Sequence, residues 1–256
     1  KFLPAEPKDH EVVEFDSKTD QAVERLRRAA HDFPENSEVA GVEARLWQRL
    51  GESDKAKFAL KKAIRAKPRN SSAFLQLSNI HRQAKSPTET LGTLKDGLEK
   101  FPSDKNLHLR VALHLVEISD QPSTEIEGHF RASFAAGDHN FDGRFFYAEY
   151  LFWAGKLDDS MSLFAEIDQR ATESFRKTAP SSEDLLTSKL GRCHGIVEGV
   201  HPRFFFVRYG GYPRSIFAHW RALTGVDYDT LRTDQQVSFK FRFNRKGPVA
   251  VDVKQE

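Results

Sequence analysis

The chain has 256 residues, 39% of them hydrophobic, and a formal net charge of only +2, which suits one large or two smaller domains with packed cores. No apolar run approaches the ~20 residues of a membrane-spanning helix, and the first residues have no signal-peptide pattern, so we expect a cytoplasmic protein without a membrane partner. The single cysteine, Cys193, excludes an internal disulfide and a multi-cysteine zinc site.

Residues 1–17 contain two prolines, scattered charges and no sustained period. We expect an extended N-terminal segment that carries no chemistry. Because the sequence lacks an initiator methionine, it also predicts that the chain is a fragment of a longer protein.

A 34-residue period runs through the region that follows. Small, leucine and proline positions recur at this spacing and resemble the tetratricopeptide repeat, which implies two antiparallel helices per unit. Residues 18–171 are therefore predicted to form an array of about four units, an α-solenoid. The recurring columns are Pro34, Pro68 and Pro102; Ala22, Ala56 and Thr90; Leu26, Leu60 and Leu94; and Ala29, Ala63 and Gly97.

Helix boundaries follow from the same columns. The first helix, Lys18–His31, matches only the second half of a unit, which again predicts a fragment. Gly51 marks the turn of the next unit, whereas Lys85 replaces the corresponding glycine of the unit after it. The predicted helices of the clearer units are Ser37–Leu50, Ser53–Ala66, Ser71–Ala84, Thr88–Lys100, Arg144–Ala154 and Leu157–Arg170.

Aromatic residues are concentrated between residues 141 and 153, where they are too many for a single helical stripe. We expect most of them to be core residues of the adjacent repeat. Residues 172–190 are rich in Ser, Thr and charge and are predicted to connect two separately packed units, with a protease-sensitive backbone. The aromatic residues are Phe141, Phe145, Phe146, Tyr147, Tyr150, Phe152 and Trp153.

Two short aromatic segments near the C-terminus, Phe204–Val207 and Ser215–Trp220, are bounded by turn residues and predict a hairpin. Because side chains alternate along a strand, one face of this hairpin carries rings that are free to stack on bases. The predicted ring residues are Phe204, Phe206, Phe217 and His219.

Residues 191–256 resemble the cold-shock domain, a five-stranded barrel of the oligonucleotide-binding type. The two aromatic segments match that family's nucleic-acid motifs, and Lys246–Val253 matches its closing strand. The resemblance implies binding of single-stranded RNA or DNA through the four rings, Trp220 and nearby cations. Glu198 and Gly199 stand where the family has a lysine and an aromatic residue, and Phe205 replaces a glycine. The predicted cations are Arg203, Arg208, Arg214, Lys240, Arg242 and Lys246.

Charge is distributed unevenly between the two predicted parts. Residues 191–256 contain 11 Lys and Arg against 6 Asp and Glu, whereas residues 1–190 contain 28 against 31. A basic barrel beside a mildly acidic array is the polarity expected if the barrel contacts phosphates. Ordinary scatter of charge is the alternative.

We recognise no catalytic motif: the sequence has no His-Glu-x-x-His run, phosphate-binding loop or nucleophile elbow. We predict a protein that is not an enzyme and has no cofactor. His194, His201 and His219 lie near Cys193 in sequence, but their spacing matches no metal-ligand pattern.

The predicted fold class is α+β and multidomain, an α-solenoid followed by a C-terminal five-stranded β-barrel. The predicted function is recognition, in which the barrel binds single-stranded nucleic acid and the array binds a protein partner. By its architecture alone, the chain resembles the sensor arm of bacterial signalling or defence NTPases. The alternative is a protein–protein scaffold with a structural barrel. Candidate contacts of the array are Arg45, Gln48, Gln76, Asn79 and Arg110.

Overall fold

A computed structural model describes residues 21–256 except 22, 27, 30, 34, 35, 67, 172–174, 176–184 and 226. The predicted N-terminal segment and most of the predicted connector lie outside the described residues. The described part divides into two compact units, one ending at Pro102 and one beginning at Ser103. Within the described residues, no helix has the length and apolar character needed to cross a bilayer.

The first compact unit consists of helix pairs with the predicted boundaries, to within one residue at each end. Described residues between 21 and 32 are also helical. The small and leucine columns of the repeat, such as Ala56, Leu60 and Leu94, are buried between the helices. The elements are α1 (Ser37–Arg49), α2 (Ser53–Arg65), α3 (Ser72–Gln83) and α4 (Pro87–Lys100).

The turn inside each pair needs a left-handed residue after the first helix. Gly51 and Gly155 have φ of 77° and 74°, and Lys85 has φ of 55°. In each case the next backbone N–H bonds to a carbonyl of the preceding helix, as in Ser86 N to His81 O at 3.0 Å. Glycine adopts this conformation without strain, so Lys85 keeps the repeat geometry at a conformational cost.

The second compact unit contains the remaining helices and a closed barrel. Its helices are α5 (Lys105–Ile118), α6 (Thr124–Ala132), α7 (Asp142–Trp153), α8 (Leu157–Arg170) and α9 (Leu185–Leu190). Its strands are β1 (Arg192–His201), β2 (Phe204–Arg208), β3 (Ile216–His219), β4 (Gln236–Asn244) and β5 (Gly247–Gln255).

The strands close in the order β1-β2-β3-β5-β4, with β3 and β5 parallel and the other pairs antiparallel. Alternate residues of each strand fill the interior, including Phe205, Ala218 and Phe239, which are fully buried. The opposite face of β2 and β3 is left to solvent. The predicted helical repeats and five-stranded barrel are therefore confirmed.

The barrel is not packed separately from the last helix pair, contrary to the expectation. Phe152 of α7 contacts Phe241 and Phe243 of β4, with ring centroids 4.8 and 5.3 Å apart, and Phe164 of α8 stacks on Phe243 at 5.8 Å. These residues belong to one continuous apolar core. The surplus of aromatic residues in α7 is thus explained by a second face, which packs on the barrel.

The described part of the predicted connector is packed as well. Phe175 and Leu186 are buried, and Phe175 lies 5.5 Å from Phe141 between ring centroids. The Lys189 ammonium of α9 donates to the Ser119 carbonyl at the end of α5 (2.7 Å). Since a C-terminal carbonyl lacks an intrahelical partner, this bond satisfies it.

Candidate nucleic-acid interface

The alternation of buried and exposed side chains along β2 places aromatic rings outside the barrel. Phe205 and Val207 are fully buried, whereas Phe204 and Phe206 are half-buried on the opposite face. On β3, Ile216 and Ala218 are buried, and Phe217 remains 39% exposed. The rings predicted to stack on bases are therefore outside the core, and Phe205 is the phenylalanine of β2 that lies inside it.

Strand register aligns these rings in two rows across the sheet. The rings of Phe204 and Phe217 lie 5.6 Å apart and nearly parallel, with 30° between their planes, and Phe206 meets each of them edge-on. We call the five rings in these rows the ring surface; they belong to His201, Phe204, Phe206, Phe217 and His219. One row consists of Gly199, Phe206, Phe217, Val249 and Arg242. The other row consists of His201, Phe204 and His219.

His201 is a member of the ring surface that the sequence did not predict. Its ring stacks on Phe204 with centroids 4.5 Å apart and 23° between the planes, and it meets Phe206 edge-on at 5.8 Å. The first strand, β1, runs to His201, so the histidine lies at its end. The two-residue turn Pro202-Arg203 could have indicated this position, because such a turn pairs the residue before it, His201, with the residue after it, Phe204.

Tyr228 holds this end of the ring surface in place. Its hydroxyl lies 2.6 Å from the His201 carbonyl oxygen and 2.7 Å from that of Phe204. Burial raises the pKa of Tyr228, so the hydroxyl keeps its proton and remains a donor. The Trp220 backbone N–H donates to the Arg203 carbonyl at 3.1 Å, which ties the short helix after β3 to the same turn.

A β-bulge at Glu198 lies beside the ring surface. The pairing of β1 with β2 shifts between Val197 and Gly199, so Glu198 is the extra residue. Its carboxylate accepts a hydrogen bond from the Ser215 hydroxyl. A side chain at Gly199 would meet only the His201 Nε2 atom, 3.8 Å away, so an open space adjoins Phe206.

The predicted cations differ in their relation to the rings. Arg203 lies in the β1–β2 turn, Arg208 follows Phe206 on the outward face of β2, and Arg242 ends the row of Phe217. Arg214 and Lys246 are exposed in loops at the opposite end of the barrel, which packs on α7 and α8.

The positive charge of Lys240 is partly offset by a neighbouring carboxylate. Its ammonium lies 3.6 Å from the Asp252 carboxylate, which also pairs with Arg192. Burial opposes ionisation of Asp252, but a hydrogen bond from Thr224 and the nearby cations lower its pKa. The carboxylate therefore stays charged and offsets part of the Lys240 charge.

Trp220 extends the ring surface beyond His219. It is 38% exposed, and its ring lies 5.9 Å from that of His219. The Arg221 guanidinium lies over the indole at 5.2 Å from the ring centroid, a cation–π contact. Arg221 therefore places a positive charge over the indole ring.

The residues considered for a metal site are not brought together. Cys193 and His201 are eight residues apart on one extended strand, roughly 26 Å at ~3.3 Å per residue. His194 lies 3.3 Å from the Glu256 carboxylate instead. In the described part of the chain, no three His, Cys, Asp or Glu side chains form a group that could hold a metal.

Three of the predicted array contacts share one groove in the first compact unit. Arg45, Gln48 and Asn79 line a groove of about 690 Å³. Gln76 is not among its lining residues and donates to the Ser72 hydroxyl at 3.0 Å. Arg110 is exposed on α5, in the second unit. The other lining residues are Leu26, Val42, Leu46, Arg49, Ser53, Ile80 and Gln83.

Comparison with known families agrees with both parts of the fold. Residues 193–256 match the family model of the 'Cold-shock' DNA-binding domain, and residues 16–79 match that of the tetratricopeptide repeat. The protein thus combines tetratricopeptide repeats with a C-terminal cold-shock domain. A search of curated protein sequences found no match.

Among solved structures, similar chains include two that are described as tetratricopeptide-repeat proteins. MamA has a TM-score of 0.50 at 10% identity, over 69% of this chain and 100% of MamA. TTC0263 from Thermus thermophilus has a TM-score of 0.47 at 21% identity, over 70% of this chain and 93% of its own. YrrB, described as having an unusual peptide-binding site, has a TM-score of 0.46 at 14% identity, over 66% and 87% of the two chains.

Proposed function

We propose that this protein is a non-catalytic recognition protein that binds single-stranded nucleic acid on the ring surface of its barrel. The observation that carries the proposal is the outward position of Phe204, Phe206 and Phe217 in a closed barrel whose interior is filled by other residues. Exposed aromatic rings on such a barrel stack on unpaired bases, which a duplex does not offer. Arg203, Arg208 and Arg242 lie where they attract the phosphates.

A binding titration tests the proposal directly. Fluorescence anisotropy of the full chain with labelled single-stranded RNA and DNA is expected to show binding at low salt, with a Kd in the micromolar range or weaker, about −8 kcal/mol. Unlabelled duplex of the same sequence is expected to compete poorly. Absence of binding to either strand type at low salt would leave the alternative of a structural barrel in a protein–protein scaffold.

Gly199→Trp is expected to strengthen binding, because the open space beside Phe206 then receives a further ring. One additional stacked base contributes roughly 1–3 kcal/mol, about a 5- to 150-fold lower Kd. The matched control is Gly210→Trp, since Gly210 also has open space around it but lies in the β2–β3 loop. An equal gain in both variants would show a nonspecific effect of tryptophan.

The groove of the array favours a second function, binding of a protein partner. Among the described residues, its lining combines apolar Leu26, Leu46 and Ile80 with Arg45 and Arg49 and includes no acidic side chain. Tetratricopeptide repeats present such surfaces to peptides, and this lining fits an extended segment with acidic side chains.

Charge reversal in the groove tests the second function. Arg45→Glu in the full chain is expected to weaken binding of an acidic peptide by about tenfold or more, because attraction becomes repulsion at close range. Exposed Arg69, which is not a lining residue, provides the matched control Arg69→Glu. Equal loss in the two variants would indicate a general charge effect rather than binding in the groove.

The sensor-arm hypothesis remains a prediction from architecture. It requires a nucleotide-binding domain in the same protein, upstream of Lys1. The sequence of the parent gene would decide it: a phosphate-binding loop there supports the hypothesis, and its absence contradicts it.

A further inference from the structure

His201 and His219 occupy both sides of Phe204 in one row across β1, β2 and β3. Both histidine side chains are exposed, and the His201 ring stacks directly on Phe204 at 4.5 Å. A strand of nucleic acid that stacks on Phe204 therefore passes beside two imidazoles. We infer that His201 is a further ligand-contacting residue and that it makes binding of nucleic acid proton-linked. The inference rests on the proposed function of the ring surface.

One ring nitrogen of His201, Nε2, lies on the outer face of the sheet, where the ligand is proposed to bind. A Cβ atom at Gly199 would lie 3.8 Å from His201 Nε2, with no other atom within 4 Å. Nε2 thus borders the open space beside Phe206, on the face where bases stack. A protonated imidazole there donates a charge-assisted hydrogen bond to a phosphate or a base oxygen.

The ring of His219 already makes a hydrogen bond to the backbone. Its Nδ1 accepts a hydrogen bond from the Arg221 backbone N–H at 3.3 Å, so protonation of Nδ1 breaks that bond. No hydrogen bond of this kind opposes protonation of His201 among the described contacts of its ring. His201 is therefore the principal proton-linked residue, and His219 contributes less.

The elements next to His201 carry both signs of charge. Arg203 lies in the turn, Arg208 on β2, Arg221 after β3 and Glu198 on β1. On the loop before β4, Tyr228 bonds to the His201 carbonyl, and Asp227 and Asp229 flank Tyr228. Arginine remains protonated and carboxylates remain ionised between about pH 6 and pH 8, where histidine changes charge.

The sign of the linkage follows from the charge of the ligand. A phosphate close to an imidazole favours the protonated form, so the complex binds more protons than the free protein does. Affinity therefore rises as the pH falls. A shift of one unit in a single histidine changes Kd by up to about tenfold, so roughly a five- to tenfold lower Kd is expected at about pH 6 than at about pH 8.

The test measures Kd for oligothymidylate by anisotropy across this pH range, since thymine gains no proton there. We expect the pH dependence to fall to about twofold or less in His201→Gln, to fall partly in His219→Gln, and to persist in the control His194→Gln. His194 is an exposed histidine at the other end of β1 and is not part of the ring surface.

The outcomes separate the two proposals. Binding at both pH values without pH dependence, or with a dependence that His201→Gln retains, overturns the inference and leaves the proposed function standing. Absence of binding at either pH overturns the proposed function. Thermal melting of each variant at both pH values confirms that the folded protein is compared, and His201→Asn provides a second neutral variant if His201→Gln does not fold.

Discussion

Replacing Phe206 and Phe217 together by alanine is expected to weaken binding of single-stranded nucleic acid by roughly 2–6 kcal/mol, or about 30-fold to 10⁴-fold. The two rings are paired across β2 and β3 and lie at the centre of the ring surface. In the proposed complex each ring stacks on a base, and alanine offers no π face. Anisotropy titration of the full chain measures the loss.

Controls for this variant separate stacking from folding. Phe58→Ala removes a ring that is 73% exposed on the array and should leave affinity unchanged. Phe206→Leu with Phe217→Leu keeps most of the buried volume but removes both π faces, so it should lose affinity while its melting transition stays close to that of the parent. A folded double variant that binds as tightly as the parent would show that the rings are structural.

Phe152→Ala is expected to lower the free energy of unfolding by about 3–5 kcal/mol. Its ring is buried at the junction of α7 and the barrel and contacts Tyr209, Tyr212 and Phe241 at centroid distances of 6.2, 5.4 and 4.8 Å. Alanine leaves a cavity that neighbouring rings cannot fill without moving. Denaturant titration followed by circular dichroism measures the change.

The same variant tests whether the barrel and the last helix pair unfold together. Because they share one core, hydrogen exchange in β4 and in α8 should increase in parallel when Phe152 is truncated. Exchange that increases in α8 alone, with β4 unaffected, would mean that the barrel is an independent folding unit, as the sequence had led us to expect.

The sequence predicted the features that depend on local periodicity. The 34-residue columns located the helix pairs because their small residues are the points of close helix contact. The alternation Phe204-Phe205-Phe206-Val207 predicted which rings face outward because side chains alternate in any strand. Both patterns repeat over short distances and can be read without knowing the fold.

The features that the sequence did not reveal depend on long-range packing. Nothing local to Phe152 distinguishes a neighbour in the next repeat from one in β4, which lies about 90 residues further along the chain. The partial neutralisation of Lys240 by Asp252 also depends on pairing between strands. The position of His201 in the ring surface was not predicted because the bulge at Glu198 interrupts the regular alternation of β1 before the strand reaches His201.

Binding of single-stranded nucleic acid on the ring surface can be located residue by residue. Ultraviolet cross-linking of the full chain to oligothymidylate, followed by mass spectrometry of the cross-linked peptides, tests it most directly because stacked rings react at contact distance. We expect cross-links at Phe204, Phe206, Phe217 or His201, which are lost with excess unlabelled strand. Cross-links confined to the repeat array, or none above background at low salt, would contradict it.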